Sequence, residues 1–334
     1  MKILKKIVIG ILIVIFIFLG YFFVGKTEPA KEVDWGVNFS QKYAKLLGLD
    51  WQEAYSAIIA DLGARNIKIL TSWDLIEPKM GEYSFNDLDW QIGLAEEKRV
   101  SVLLVIGNKT GRWPECHMPD WAKGLSKEAQ QDKILKLIEN IVLRYKGLAP
   151  TPNFGVGAWQ VENEALFPFG ECPWRDKSFL KKEISLVKSL DPTRPVIVSD
   201  SGEFSFWITA AQLGDIASAT LHRKVWFKEI KNYITYPLRP IFYWRKAQII
   251  KIFFNKEVIV GELQAEPWCP NFVSPCSLEE QKKTMDLPQF QKNIQFAKET
   301  GLNTFYLWGP EWMFWMKEKQ NKPEIWEEAK KLFK

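Results

Sequence analysis

Eight short apolar runs recur between Trp35 and Trp308, at residues 35–39, 67–71, 100–106, 154–164, 196–199, 216–221, 258–262 and 303–308. Helix-like stretches separate them. In the first, Asp50 caps a segment with Glu53 at the matching third position, Ala54, Ile58, Ile59 and Leu62 fall at helical spacing, and Gly63 closes it. Residues 127–145 repeat the pattern with Ile134, Leu135, Ile138, Ile141 and Leu143. Apolar strands alternating with helices require a parallel sheet covered on both faces, and eight such units close on themselves as a (β/α)8 TIM barrel of about 250 residues. The 334-residue chain accommodates one barrel after its first thirty residues or so, and no linker announces a second domain. An open doubly wound sheet would carry a glycine-rich phosphate loop after its first strand, where this chain has Asn38-Phe39-Ser40-Gln41.

Two of the eight runs end in carboxyl groups. The fourth stops at Glu162-Asn163-Glu164, and the seventh, Val258-Ile259-Val260-Gly261-Glu262, ends in a glutamate, with Trp268 shortly after it. Carboxyls at the tips of two buried strands make a paired-carboxylate site of the kind that cleaves glycosidic bonds. Glu266 lies close to Glu262 in sequence. Alternation along a strand puts Val258, Val260 and Glu262 on one face, with the valines filling the barrel and Glu262 at its mouth. Glu266, beyond the strand and before a proline, suits a loop role or a bond to substrate.

Trp-x-x-x-Asn-Glu on a fourth strand and a glutamate ending a seventh resemble clan A of the glycoside hydrolases, retaining β-glycosidases on (β/α)8 barrels, of the cellulase-like, family 5-like kind. The segment from Trp73 through Glu77-Pro78 and Gly81 to Phe85 is similar to the loop after strand two in several of these families. The resemblance implies Glu164 as acid/base, Glu262 as nucleophile, Asn163 on the sugar 2-hydroxyl, and Trp308 as a platform under the sugar ring. Trp73 and Trp268 are further substrate-binding candidates. The chain departs from the clan twice: strand two has Lys68 where an arginine often supports the nucleophile, and no tyrosine ends strand six, where His222 stands in its place. The alternative of a membrane-tethered barrel that binds glycan without cutting it needs the tryptophans and neither glutamate. Sixteen tryptophans, 22 phenylalanines and nine tyrosines supply flat apolar faces for sugars, although most belong to the core. With two histidines in the chain, no metal and no cofactor are expected.

Residues 7–25 are nineteen uncharged, mostly apolar residues after Lys2, Lys5 and Lys6, enough for roughly 28 Å of helix. The end at Tyr21-Phe22-Phe23-Val24-Gly25-Lys26 lacks the small residues of a cleavage site, so an uncleaved anchor is favoured over a signal peptide and secretion. The expected organisation is a cytoplasmic tail (1–6), a transmembrane anchor (7–25), a linker (26–32) and an extracytoplasmic catalytic barrel (33–334). Four cysteines fit an oxidising compartment. They lack the close pairs of a zinc site, leaving disulfides or plain thiols. The expected pairs are Cys269 with Cys276, across a short loop, and Cys116 with Cys172, across the neighbouring loops after strands three and four.

The net charge of +5 is too small to indicate nucleic acid. Residues 223–256 alone carry nine basic residues against Glu229, so the rest of the chain is net acidic. The two readings of this segment are a surface leaning toward anionic lipid or glycan and an ordinary helix with a solvated basic face. His117, a lone histidine in the loop after strand three, reads as structural.

Overall fold

The computed structural model describes residues 2–147, 155–271 and 276–334; Phe154, at the start of the fourth apolar run, lies outside them. Among the described residues the strands are β1 (Asp34–Phe39), β2 (Asn66–Leu70), β3 (Ser101–Ile106), β4 (Gly155–Val161), β5 (Val196–Asp200), β6 (Ile216–Leu221), β7 (Lys224–Phe227), β8 (Asn232–Thr235), β9 (Val258–Gln264) and β10 (Thr304–Trp308). Eight of them form a closed barrel in the order β1-β10-β9-β6-β5-β4-β3-β2, every neighbouring pair parallel. The (β/α)8 expectation is met. β7 and β8 are an antiparallel hairpin between the sixth and seventh barrel strands.

Alternation along the strands sorts the core into two populations. Leu103, Ile197 and Ile259, joined by Ala158, Ile216 and Tyr306, come from six strands and touch one another, which they do only inside the barrel. The outward residues, such as Ile67, Ile69, Val102, Leu104, Val196 and Val198, pack with the helices in the main core. Above the inner floor the side chains turn polar, and Lys68 and Gln160 are fully buried there.

This sorting corrects the sequence reading of the seventh barrel strand. Val258 and Val260 belong to the outer core, while Ile259 points inward. Glu262 nevertheless reaches the interior because β9 carries one extra residue: Ala219 pairs with Val260 but Thr220 with Glu262, and Phe305 pairs with Val260 but Leu307 with Leu263. On the β6 side the skipped residue is Gly261, and on the β10 side the extra residue falls in the same stretch between Val260 and Leu263. Such a β-bulge resets the alternation by one position. Only glycine fits, since a Cβ at Gly261 would lie 2.3 Å from Ser218 Oγ.

Both expected disulfides are formed, Cys116–Cys172 and Cys269–Cys276, with Cα separations of 5.3 and 6.1 Å. The first ties the loop after β3 to the loop after β4. At the N-terminus, helix Lys2–Phe23 includes a 20-residue stretch, Leu4–Phe23, of mean hydropathy 2.7, long and apolar enough to cross a membrane. Its last turn packs on helix Pro240–Phe254, Phe22 and Phe23 against Phe242. The basic segment 223–256 thus divides into the hairpin and this helix, and its nine basic residues do not share one side. Lys246 is fully buried, with its ammonium 4.0 Å from the Trp207 ring and donating to Ser205 O at 2.8 Å.

Candidate active site

The tip of β4 is built from an unusual backbone. Glu162 and Glu164 adopt left-handed conformations, φ 58° and 42°, on either side of Asn163. For residues with a Cβ this costs on the order of 1 kcal/mol or more each, so neighbouring contacts must impose it. The Glu162 carboxylate accepts from the backbone N–H groups of Asn108, at 2.8 Å, and Lys109. Gly107 leaves room for that carboxylate: its φ is +119°, and a Cβ there would lie 2.4 Å from Glu162 Oε1. The Glu164 N–H donates to Ser199 Oγ at 2.8 Å, and Lys109 Nζ donates to Glu164 O at 2.9 Å. Asn163 is held by its own Oδ1, which accepts from Gln160 Nε2 at 3.0 Å and from Lys68 Nζ at 3.4 Å.

Glu262 meets two cationic or donor groups. Lys68 Nζ lies 3.1 Å from Oε1, and His222 Nε2 lies 3.7 Å from Oε2. Burial raises the pKa of this carboxyl, but Lys68 and His222 outweigh burial and hold it at about 2. Lysine therefore sits against Glu262 from strand two, and His222 reaches it from the end of β6. Glu164 shows the reverse. Burial first, and then the charge of Glu262, push its pKa well above the usual carboxylate value, with Lys109 opposing. The single hydroxyl hydrogen of Thr220 is shared between Glu203 Oε2, 3.3 Å from Oγ1, and Glu164 Oε1, 3.4 Å from it. Glu203 also accepts from the His222 N–H at 2.9 Å and from Tyr243 Oη at 3.1 Å, which fixes the backbone from which His222 projects.

The loop after β3 adds charged groups with no counterpart in the sequence reading. Arg112 is sandwiched between the rings of Tyr43 and Trp308, its guanidinium carbon 3.7 and 4.2 Å from their centroids. It pairs with Glu266 and, at 3.1 Å, with Glu311. Burial raises the Glu311 carboxyl to about 7 despite Arg112. Glu115 is buried too, Oε2 lacks a hydrogen-bond partner, and burial followed by Glu262 raises its pKa to about 7, against Lys109 and Asn163. Lys109, Arg112, Glu115, Glu203 and Glu311 were not legible as site residues. They occupy loops without a repeating spacing, and only the fold aligns them.

The remaining sequence candidates separate. Trp308 is at the mouth, packed with Leu70 and Val105, and Arg112 covers one of its faces. Trp268 packs edge-on against His222, 4.9 Å between centroids, and against Phe169 at 5.9 Å. Trp73 is fully buried, donates its indole N–H to Glu77 Oε2 at 2.8 Å and packs on Trp121, so it presents no surface to a sugar. Glu266 is engaged with Arg112 and lies clear of Lys68 and His222. His117 is structural as expected: Nε2 bonds Gly111 O at 2.8 Å, Lys42 Nζ lies 3.3 Å from Nδ1, and burial and Lys42 lower its pKa to about 4.

No protein-family model matches the chain. Solved structures with similar folds include xylanase 10B from Thermotoga maritima, at 16% identity and a TM-score of 0.60 over 90% of this chain and 95% of that one. A glycosylated endo-β-1,4-xylanase of glycoside hydrolase family 10 from Gloeophyllum trabeum matches at 15% identity and 0.55 over 84% and 85%. A β-galactosidase from the Antarctic haloarchaeon Halorubrum lacusprofundi matches at 15% and 0.55 over 82% of this chain, which spans 52% of that enzyme's length. At these identities the likeness is one of fold: the chain has the (β/α)8 barrel on which these glycosidases are built.

Proposed function

We propose that the chain is a membrane-anchored retaining glycoside hydrolase acting on β-linked oligo- or polysaccharide, with Glu262 as nucleophile and Glu164 as acid and then base. One observation carries the reading: of two buried carboxyls at the mouth of one barrel, Glu262 lies 3.1 Å from Lys68 and 3.7 Å from His222, which favour its anion, while burial and then the charge of Glu262 favour the neutral acid at Glu164. In the first step Glu164 gives its proton to the glycosidic oxygen as that bond to the anomeric carbon breaks, and a Glu262 oxygen bonds to the same carbon. In the second, water attacks that carbon, Glu164 takes back a proton, and Glu262 leaves as carboxylate. Asn163, its Oδ1 already occupied and its amide shared with Glu115, has one N–H left to offer the sugar 2-hydroxyl, and Trp268 and Glu266 flank the mouth. The organisation that fits is a cytoplasmic tail and an anchor within residues 1–25, then an extracytoplasmic barrel; two disulfides support an oxidising location.

Azide rescue tests the assignment. Glu262→Ala is expected to abolish turnover and yield a glycosyl azide of inverted configuration, while Glu164→Ala keeps activity on aryl substrates with good leaving groups and yields a retained azide. A fluorosugar that labels Glu266, or near-normal turnover by Glu262→Ala, would overturn it. A glycan-binding barrel without hydrolysis is the second reading, favoured by the Arg112 guanidinium that covers a face of Trp308. It predicts glycan binding that survives Glu262→Ala, with no turnover in the parent chain.

A further inference from the structure

The end of the N-terminal helix is fastened at the mouth of the barrel. Phe18 and Phe22 meet Phe206, in the loop after β5, at 6.1 and 5.5 Å between centroids. Arg239, at the foot of helix Pro240–Phe254, donates to Phe23 O at 3.0 Å, and the Arg245 guanidinium lies 4.7 Å from the Tyr21 ring. Loops that follow barrel strands lie at their C-terminal ends, the end that holds Glu164 and Glu262. The chain then runs to the opposite end, where Ala30 N donates to Lys298 O at 3.0 Å and β1 begins at Asp34. The exposed length of the apolar helix therefore leaves the protein from its mouth end.

That same rim exposes apolar side chains. Phe204, Phe206 and Ile230, on the loops after β5 and β6, and Ile208, which opens helix Ile208–Leu213, are 58%, 41%, 60% and 43% accessible. Exposed Lys228, Lys231 and Arg239 accompany them, with Glu229 as the one exposed acid of the hairpin turn. Isolated exposed apolar residues need no explanation, but Phe206 packs on a membrane-length helix with Phe204 and Ile208 two residues to either side of it, and Ile230 at the hairpin turn after β6 adds a fourth on the same end of the barrel. Phe204 also stacks on Phe167, three residues after Glu164, at 5.7 Å, so the apolar rim continues to the candidate site.

We propose that this rim rests on the outer leaflet of the bilayer crossed by the N-terminal helix, and that the substrate is a β-linked glycan carried on lipid in that leaflet. Its lipid-contact half rests on the membrane-spanning reading of the helix, and its substrate half on the glycosidase reading above. A basic and apolar edge suits an interface of anionic headgroups and acyl chains. A soluble polysaccharide would gain nothing from a mouth held against the membrane.

The test uses the full chain in vesicles of phosphatidylcholine and phosphatidylglycerol. A fluorescent non-natural residue is placed at Ile208, Ile230, Met80 or Leu143, and quenching by lipids labelled near the headgroup is measured. Met80 lies behind β2, across the barrel from β6. Positions 208 and 230 are expected to be quenched several-fold more strongly than 80 and 143. In the same vesicles the double variant Ile208→Asp/Ile230→Asp is expected to cut a lipid-linked β-glycoside roughly tenfold more slowly while its turnover of a soluble aryl β-glycoside is unchanged. Equal quenching at all four positions overturns the lipid contact, as does energy transfer between copies in detergent without lipid quenching, which would mean that a second copy covers the rim. An equal loss on both substrates overturns the lipid-linked substrate. Failure of the parent chain to cleave either glycoside counts against the glycosidase reading and removes the lipid-linked substrate with it, while the quenching still decides the contact.

Discussion

Lys68 Nζ sits 3.1 Å from Glu262 Oε1 in the middle of the barrel, and the lysine is fully buried. Taking two charges out of water costs several kcal/mol per ion, which only close pairing repays. The pair therefore keeps Glu262 anionic where burial alone would protonate it.

Replacing Lys68 by Met removes the larger opposing charge and lets burial raise the Glu262 pKa. The anion is lost as pH falls through that pKa, so the acid limb of kcat/KM for an aryl glycoside moves to higher pH. Activity at pH 5 is expected to drop at least about tenfold relative to pH 7. Lys68→Arg should restore the limb; an unchanged profile in Lys68→Met would mean that Lys68 does not hold the charge.

Glu115 titrates near 7 when folded and near 4.5 when unfolded. Its raised folded value means that the stabilising contribution of its proton is full below about pH 4.5 and is lost as pH rises through 7. Glu115→Gln stays neutral throughout. Thermal melts should therefore show the variant gaining on the parent by on the order of 3 kcal/mol between pH 4 and pH 8. A constant difference across that range would place the carboxyl in a better solvated setting than its burial indicates.

Arg112→Met keeps an unbranched chain of similar length between Tyr43 and Trp308 but strands Glu266 and Glu311. Breaking a buried pair by removing one partner costs about 3–5 kcal/mol, so denaturant midpoints should fall sharply. Adding Glu266→Gln and Glu311→Gln should recover most of that loss. A cost of the single variant below about 1 kcal/mol, the range of an exposed pair, would mean that the guanidinium is solvated.

Cys116→Ser/Cys172→Ser opens a 56-residue loop that ties the wall bearing Glu115 to the one after Glu164. A loss of roughly 2–5 kcal/mol is expected, read as a lower melting temperature under non-reducing conditions. Parent protein melting identically with and without reductant would contradict it.

The number, order and parallel pairing of the barrel strands were legible in the sequence, because strand and helix periodicities are local and a parallel sheet follows from their alternation. So were Glu164 and Glu262 at strand ends, and both cysteine pairs, one closing a short loop and the other joining neighbouring loops that share one face of a barrel. The side that Glu262 faces was reached by the wrong route: period two assigns Val258 and Val260 to the interior, and the bulge at Gly261 reverses that without leaving a mark in the apolar pattern. Trp73 was a motif residue whose signal is packing, not exposure. Arg112, Glu115, Glu203 and Glu311 could be found only in three dimensions. Electrostatic partnership depends on distance in space, and residues as far apart in sequence as Arg112 and Glu311 become neighbours only once the barrel closes.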